Sequence, residues 1–570
     1  MKKYSGFSAK TVLLIASLTV LVSCNDTWKE HYSYKTDNNY PVDKIDVTLE
    51  GIEGYENFYA TLETTYLYDK DGKRYKDNQT FLELLNQDQF ITVWAPSNES
   101  ISKEQWKDYM DPNKSDSLNY EVGEKFLKMH IARFKHTVGN VDTTKVFMMN
   151  GKPVESTPTA MGGQPYHGTD KNIRCLNGIL HCLDGNIKFL PNIYEYITTS
   201  PDYRDILGDW YKSFTLEEVD QGNSIASGID ENGQKIWIDA VMIESSILMK
   251  EFGYINSEDS TYYFVLPERN LWINQFNRIK NYFAYNESKI DNDSLQKFYA
   301  NRAMMTDMYF NMNKKIQRHY PDSVFSTPYN SSENRREKKP YHVFAYPEDA
   351  VNGVFGSAQQ EIECSNGKIF IINKWPFVDT LTFLRSIKLE AEDYRNLSSL
   401  FAVAQRSVTS IGGVSLEQSV KVLKIMSAGG ENYWDEGNGA KFYIKNNLKG
   451  KYSIKVIVAP NTDEDNKPCL FHPIIMYDGE ELYNPSHSYW DTVGGMPVPV
   501  KEDSLFEGSS TKIDTLEIAL VDIPYSNYEK DNNMDAKLAI ELYSRVNSGS
   551  TDTYSGEIWL DGIVLEPVVE

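Results

Sequence analysis

Two pairs of landmarks recur in this chain in the same order. Phe90-Ile91-Thr92-Val93-Trp94-Ala95-Pro96-Ser97-Asn98 is an apolar run that closes on a proline and a polar helix cap, and Tyr262-Tyr263-Phe264-Val265-Leu266-Pro267-Glu268-Arg269-Asn270 repeats the pattern. Such runs predict a buried strand leading into a helix. Downstream of each lies an Asn-Gly pair between apolar segments, Asn177-Gly178 and then Asn366-Gly367, and Asn-Gly is the strongest short hairpin signal. Helical patterns fill the space between them, at 120–134 and 295–312. A chain built this way is expected to hold two copies of one mixed module.

Hairpin geometry bears on the cysteines. With Asn177-Gly178 as a two-residue turn, Cys175 faces Leu180 and Cys182 faces Ile173. The two thiols then stand diagonally, roughly 7–8 Å apart, beyond comfortable disulfide reach. Cys364 and Cys469 complete a sparse set, far from the density of a disulfide scaffold. All four read as small buried hydrophobes.

Beyond Trp375-Pro376 the helical patterns give way to short alternating segments at 440–444, 452–458, 473–477, 512–521, 537–543 and 557–565. Regular strands with Gly, Asn and Asp between them predict an antiparallel sandwich or jelly roll. The stretch 321–340, with Arg335-Arg336-Glu337-Lys338-Lys339, reads as a solvated loop.

The N-terminus predicts an address. Met1-Lys2-Lys3 is basic, 11–22 is apolar without an acid, and the segment closes on Leu21-Val22-Ser23-Cys24. The run is too short to cross a bilayer and has the order of a secretory signal. Its end resembles the lipobox of bacterial lipoproteins, which implies lipidation at Cys24 and a mature protein anchored by acyl chains, palmitate among them. More than one chain gives stable anchoring. Loss of 1–23 removes three lysines and no acid, so the net charge moves from −23 to −26. So acidic a surface argues against nucleic acid as a partner.

The repeated landmarks resemble the fasciclin domain. Thr92-Val93-Trp94-Ala95-Pro96-Ser97-Asn98-Glu99 is similar to its first signature, and Asn177-Gly178-Ile179-Leu180-His181-Cys182-Leu183-Asp184 to its second. Met129-His130-Ile131-Ala132 and Met148-Met149-Asn150-Gly151-Lys152 match the middle of that pattern. The second copy departs from it, with Leu266 before Pro267, no histidine in Asn301-Arg302-Ala303-Met304, and Phe370 in the place of His181. The start, Cys24-Asn25-Asp26-Thr27-Trp28, resembles fasciclin lipoproteins of the Bacteroidetes. Ile387-Lys388-Leu389-Glu390-Ala391-Glu392 and Ile558-Trp559-Leu560-Asp561-Gly562 resemble the first and last strands of carbohydrate-binding sandwiches.

These resemblances imply an α+β multidomain chain. Its order is a signal peptide (1–23), lipidated N-terminus and linker (24–46), two fasciclin-like domains of β-wedge plus helices (47–190 and the divergent 191–378), and an all-β jelly-roll or sandwich domain (379–570). They also imply a structural calcium as the one cofactor, held by Glu390, Glu392 and Asp561, whose hard oxygens suit that ion. A solvated acidic face is the plainer reading of those acids.

No His-Glu-x-x-His helix, Gly-x-Ser-x-Gly elbow or phosphate-cradling glycine loop is present in the sequence. The chain reads as a non-enzyme. His130 and His181 flank apolar residues and read as core groups rather than ligands. Aromatics make up 13% of the chain, with 38 tyrosines, and flat rings suit sugar faces. Tyr433, Trp434 and Asp435, with Tyr483, Tyr489 and Trp490, form the ligand-binding candidates, between strands where binding loops sit. The functional expectation is an outer-membrane, cell-surface lipoprotein, accessory to a nutrient-uptake system. Its expected partners are a glycan, an outer-membrane transporter and that transporter's surface lipoproteins. An adhesin acting through the fasciclin-like domains and a structural spacer are the alternatives.

Overall fold

The computed structural model describes residues 41–569 apart from 69–71, 76–77, 140–142, 220–224, 230–232, 240–241, 287–291, 314–321, 328–341, 394–396, 400–402, 426–438, 486–489, 494–495, 500–504, 529–537 and 545–551. Two compact units divide the chain between Leu190 and Pro191. Cys24 and the expected linker up to residue 40 lie outside the described residues, and the last two positions of that linker, Ile45 and Asp46, open the helix Ile45–Glu50.

In the first unit the strand Ile91–Pro96 is central and buried along its whole length. It runs parallel to Gly178–Leu183, with Ile91 opposite Gly178 and Pro96 opposite Leu183, and antiparallel to Ile131–Arg133. Ile173–Cys175 completes a four-stranded sheet. Both parallel strands are continuous apolar runs because both their faces are covered. One cover includes the helices Ile45–Glu50, Glu56–Thr64 and Lys103–Met110, with Ile45, Phe58 and Trp106 in the core. Trp94, Met148 and Met161 belong to a separate core cluster.

The second unit begins with the same sheet. Tyr262–Pro267 runs parallel to Gly367–Ile372, flanked by Tyr309–Asn311 and Gln360–Cys364 in the matching order. The repeated landmarks are thus paired central strands of two like modules.

The expected hairpin register is corrected. Cys175 faces Gly178 and Ile173 faces Leu180, so the turn is Leu176-Asn177 and the pairing is displaced by two residues. Tertiary contacts override the local turn preference. The Asn177 side chain is buried, and a Cβ on Gly178 would stand 1.9 Å from the Ile91 carbonyl oxygen. Glycine is needed at 178 for the close approach of the parallel strand. Gly367 repeats this, 1.8 Å from the Tyr262 oxygen, with φ +146. The four cysteines after residue 24 are free and buried, as expected.

The patterns at 120–134 and 295–312 are helical only in part. Helix Asp116–Glu121 passes through a π turn, Val122–Phe126, and a 3-10 turn, Leu127–His130, into the strand Ile131–Arg133. Helix Asn292–Met305 likewise gives way to the strand Tyr309–Asn311. Ser323–Phe325, inside the expected loop, pairs with Val343–Ala345, while 328–340 lie outside the described residues.

The C-terminal part is two mainly antiparallel six-stranded sheets. In one, Ile558–Pro567 lies between Gly450–Ala459 and Val414–Ile425, and also pairs with Ile387–Glu390. In the other, Leu538–Ser544 lies between Gly439–Ile444 and Leu470–Tyr477. The core of this sandwich is continuous with that of the second module. Phe283 and Tyr528 meet edge to face at 5.6 Å, the Lys449 amide donates to the Tyr282 carbonyl at 2.8 Å, and the Ser526 amide to the Ala284 carbonyl at 2.6 Å.

Candidate functional site

Where the second module meets the sandwich, an open cleft of about 420 Å³ is lined by Trp375, Phe377, Gln275, Arg278, Asp379 and Val569, among others. Its volume is in the range of small-molecule sites. The chain enters it shortly after the strand Gly367–Ile372, and Pro376 biases the backbone of Trp375 before it toward the extended region. Their rings meet edge to face at 5.0 Å and make an apolar corner. The Trp375 indole Nε1 is buried without a hydrogen-bond partner.

Helix Arg269–Tyr282 supplies the polar wall. One turn apart, Gln275 and Arg278 project together, and Arg278 Nε donates to Gln275 Oε1 at 2.8 Å. The guanidinium also pairs with both oxygens of Asp379, one at 2.9 Å. Asp379 opens the short helix Asp379–Thr382, so its charge also faces the helix N-terminus. Rings, an amide, a guanidinium and a carboxylate converge here, groups able to pack on and hydrogen-bond a hydroxyl-rich ligand. Sequence reasoning treated Trp375-Pro376 only as a boundary. A pair of rings about a proline, Trp375-Pro376-Phe377, was the available signal.

The sequence candidates fall elsewhere. Tyr483 ends the strand Glu480–Tyr483, paired with Ile475 and half-buried, and burial raises its pKa. Trp490 opens the strand Trp490–Val493, paired with Met496–Pro499 in a separate two-stranded ribbon. Tyr433, Trp434, Asp435 and Tyr489 lie outside the described residues.

The acids of the expected calcium site do approach one another. Glu390 faces Gly562 across the sheet, and the Ala391 amide donates to the Asp561 carbonyl at 2.9 Å. Burial raises the Asp561 pKa, and the neighbouring Glu390 and Glu392 raise it further against Lys388. Glu392 Oε2 is buried without a hydrogen-bond partner. Yet Lys388 Nζ sits 2.8 Å from Glu390 Oε1, and among the described residues no group of three or more acids, histidines or cysteines is placed to hold a metal. The donor chemistry suits calcium; the arrangement, with a lysine inside it, does not.

His130 and His181 are core groups. His130 Nδ1 donates to the Phe126 carbonyl at 2.8 Å, and its Nε2 accepts the Ile187 amide at 3.0 Å. His181 stacks on Trp94 at 5.4 Å, accepts the Asn172 amide at 3.1 Å and donates to the His136 carbonyl at 3.0 Å. Burial lowers both pKa values to about 4, since each ring is already satisfied in its neutral form.

One Ser-His-Asp grouping escaped the sequence reading. Asp307 Oδ1 accepts the Ser326 hydroxyl at 2.6 Å and its Oδ2 takes His342 Nδ1, while Ser326 Oγ accepts the His342 amide at 3.0 Å. In a nucleophilic triad the imidazole stands between hydroxyl and carboxylate. Here the carboxylate stands in the middle, so Ser326 has no imidazole base. The cluster pins the strand pair Ser323–Phe325 and Val343–Ala345.

No family model and no curated protein matches the chain. Among solved structures it is similar to the Podospora anserina GH26-CBM35 β-(1,4)-mannanase (9% identity, TM-score 0.18), covering 32% of this chain and only 28% of that one. It is also similar to a family 35 carbohydrate binding module from Clostridium thermocellum (13% identity, TM-score 0.16, 32% of this chain and 98% of that one). A FAS1 domain pair of the insect cell adhesion molecule Fasciclin I is a third (11% identity, TM-score 0.18, 58% of this chain and 99% of that one). Likenesses this slight assign neither a family nor an activity.

Proposed function

We propose that this chain is a non-catalytic, lipid-anchored cell-surface protein that binds a glycan as an accessory of an outer-membrane uptake system. The observation that carries the binding role is the Trp375–Phe377 corner facing the Gln275–Arg278–Asp379 chain. Apolar sugar faces pack on rings while hydroxyls take the paired polar groups. The anchor rests on the Leu21-Val22-Ser23-Cys24 segment.

A mild-detergent pull-down of the native protein, with partners identified, tests the assignment. Recovery with a stoichiometric transporter and its surface lipoproteins supports it, and that system's glycan is then titrated against wild-type chain and Trp375→Ala. Recovery of the intact protein alone removes the uptake role. Adhesion is the second reading, favoured by the duplicated module, and cell attachment carried by residues 47–378 would establish it.

A further inference from the structure

A second cleft, of about 450 Å³, lies wholly within the first unit. Its origin is the end of the buried face of the sheet. Val93 and Ile131 face each other in the core, Ile91 and Arg133 form the next non-adjacent pair along the strands, and Gln89 lies two residues before Ile91, in the bend that leads into the strand. Alternation therefore carries one face from the apolar core to Arg133 at the rim, and Gln89 lines the same cleft. Phe90 is not among the lining residues and has the Lys135 ammonium over its ring, 3.9 Å from the centroid.

The lining separates into three kinds of group. Leu84, Ile91 and Ile131 make an apolar floor. Tyr68 and Tyr75 supply rings, with Tyr68 Oη turned away to Asp116 Oδ1 at 3.2 Å. The amides of Gln79, Gln87 and Gln89 make no side-chain hydrogen bond among the described residues. Two cations line the cleft. Lys128 is neutralised by Glu124, but the Arg133 side chain is exposed and has no ion pair among the described residues.

We propose that this cleft binds an acidic sugar, a pyranose ring carrying one carboxylate. The inference is independent of the Trp375 cleft. A free guanidinium offers two parallel N–H groups to a carboxylate. Each amide both donates and accepts, as a sugar hydroxyl requires of its partner. Floor and rings take the C–H face. One guanidinium without an ion pair among the described residues answers a single negative charge, which favours a carboxylate over a phosphate.

The test is calorimetric titration of the full chain in detergent with glucuronic and galacturonic acids, their methyl esters, and the neutral hexoses. The acids are expected to bind, and the esters and hexoses about tenfold or more weakly, as befits loss of a charged hydrogen bond. Arg133→Gln should bring the acids down to the level of the esters, and Arg133→Lys should restore part of the difference. Gln89→Ala should weaken acids and esters alike. Trp375→Ala should change none of these values, which separates this site from the proposed glycan cleft. Equal binding of acid and ester, acid binding unchanged in a folded Arg133→Gln chain, or no acid binding to folded wild type would each overturn the proposal.

Discussion

Asn177 Oδ1 accepts the main-chain amide of Ile45 at 3.0 Å, across 132 residues of chain. Its Nδ2 donates to the carbonyls of Leu85, at 2.6 Å, and Gln87, at 2.9 Å. Asn366 repeats the clamp in the second module, accepting the Ile193 amide at 3.0 Å and donating to Ile255 and Ser257 at 2.7 and 3.1 Å. One side chain thus ties the entry helix and a loop to the turn before the parallel strand, and the duplication preserved all three bonds.

Asn177→Ala leaves an amide and two carbonyls without this partner inside the first module. Two of these bonds are buried and the third is part-buried, and each buried group left unsatisfied costs about 1–3 kcal/mol, so the substitution is expected to lower stability by about 2–6 kcal/mol. Chemical denaturation of the full chain, followed by a probe in each unit, checks it. Loss in the second unit only would contradict the clamp.

Gly178→Ala should be more severe, because the added methyl overlaps the Ile91 carbonyl on the backbone of the central strand. Gly139→Ala, with open space about it, should be silent. Paired circular dichroism melts compare the two.

The acid limb of stability is expected to involve His130 and His181. Each has a folded pKa of about 4 against 6.5 for the free group. Their contribution is fully present above about pH 6.5 and is lost as pH falls through 4, because the unfolded chain takes up protons first. At about 1.4 kcal/mol per unit, the loss is on the order of 3 kcal/mol for each ring. Urea titrations at pH 7 and pH 4 measure it, and His130→Gln should flatten the difference.

Arg302 and Glu251 form a buried pair in the second module, with guanidinium contacts at 2.8 and 2.9 Å. Arg302→Met, which takes the guanidinium away from a buried carboxylate, is expected to cost about 3–5 kcal/mol. The double change with Glu251→Leu should recover much of that loss, and the double-mutant cycle reads the coupling.

With Lys388 among the acids at the mouth of the sandwich, a chelator is expected to leave the melting temperature unchanged. A fall on chelation, reversed by calcium, would show that the carboxylates rearrange around an ion.

The strands of the sandwich were legible because inward positions alternate with outward ones, as in Leu538–Ser544, where six of seven positions fit a half-buried strand between two neighbours. The hairpin Val403–Ile411 with Val414–Ile425 was missed, since its strands carry Gln405, Arg406, Glu417 and Gln418 where an apolar face would be read. Asn177-Gly178 was found but its purpose misread. A turn propensity is local, whereas the partners of Asn177 are Ile45, Leu85 and Gln87, which sequence spacing does not bring together. The Trp375 cleft stayed hidden for the same reason: Arg278 and Asp379 are 101 residues apart.

The seam between the second module and the sandwich changes how this chain would bear load. Phe283 and Tyr285 are sunk in a core that continues into the sandwich, and main-chain bonds cross from 282–284 to 449 and 526. A tug on a ligand held at that seam would not peel one layer from the next. The force would be shared by the whole of 191–570, and rupture would come late and all at once.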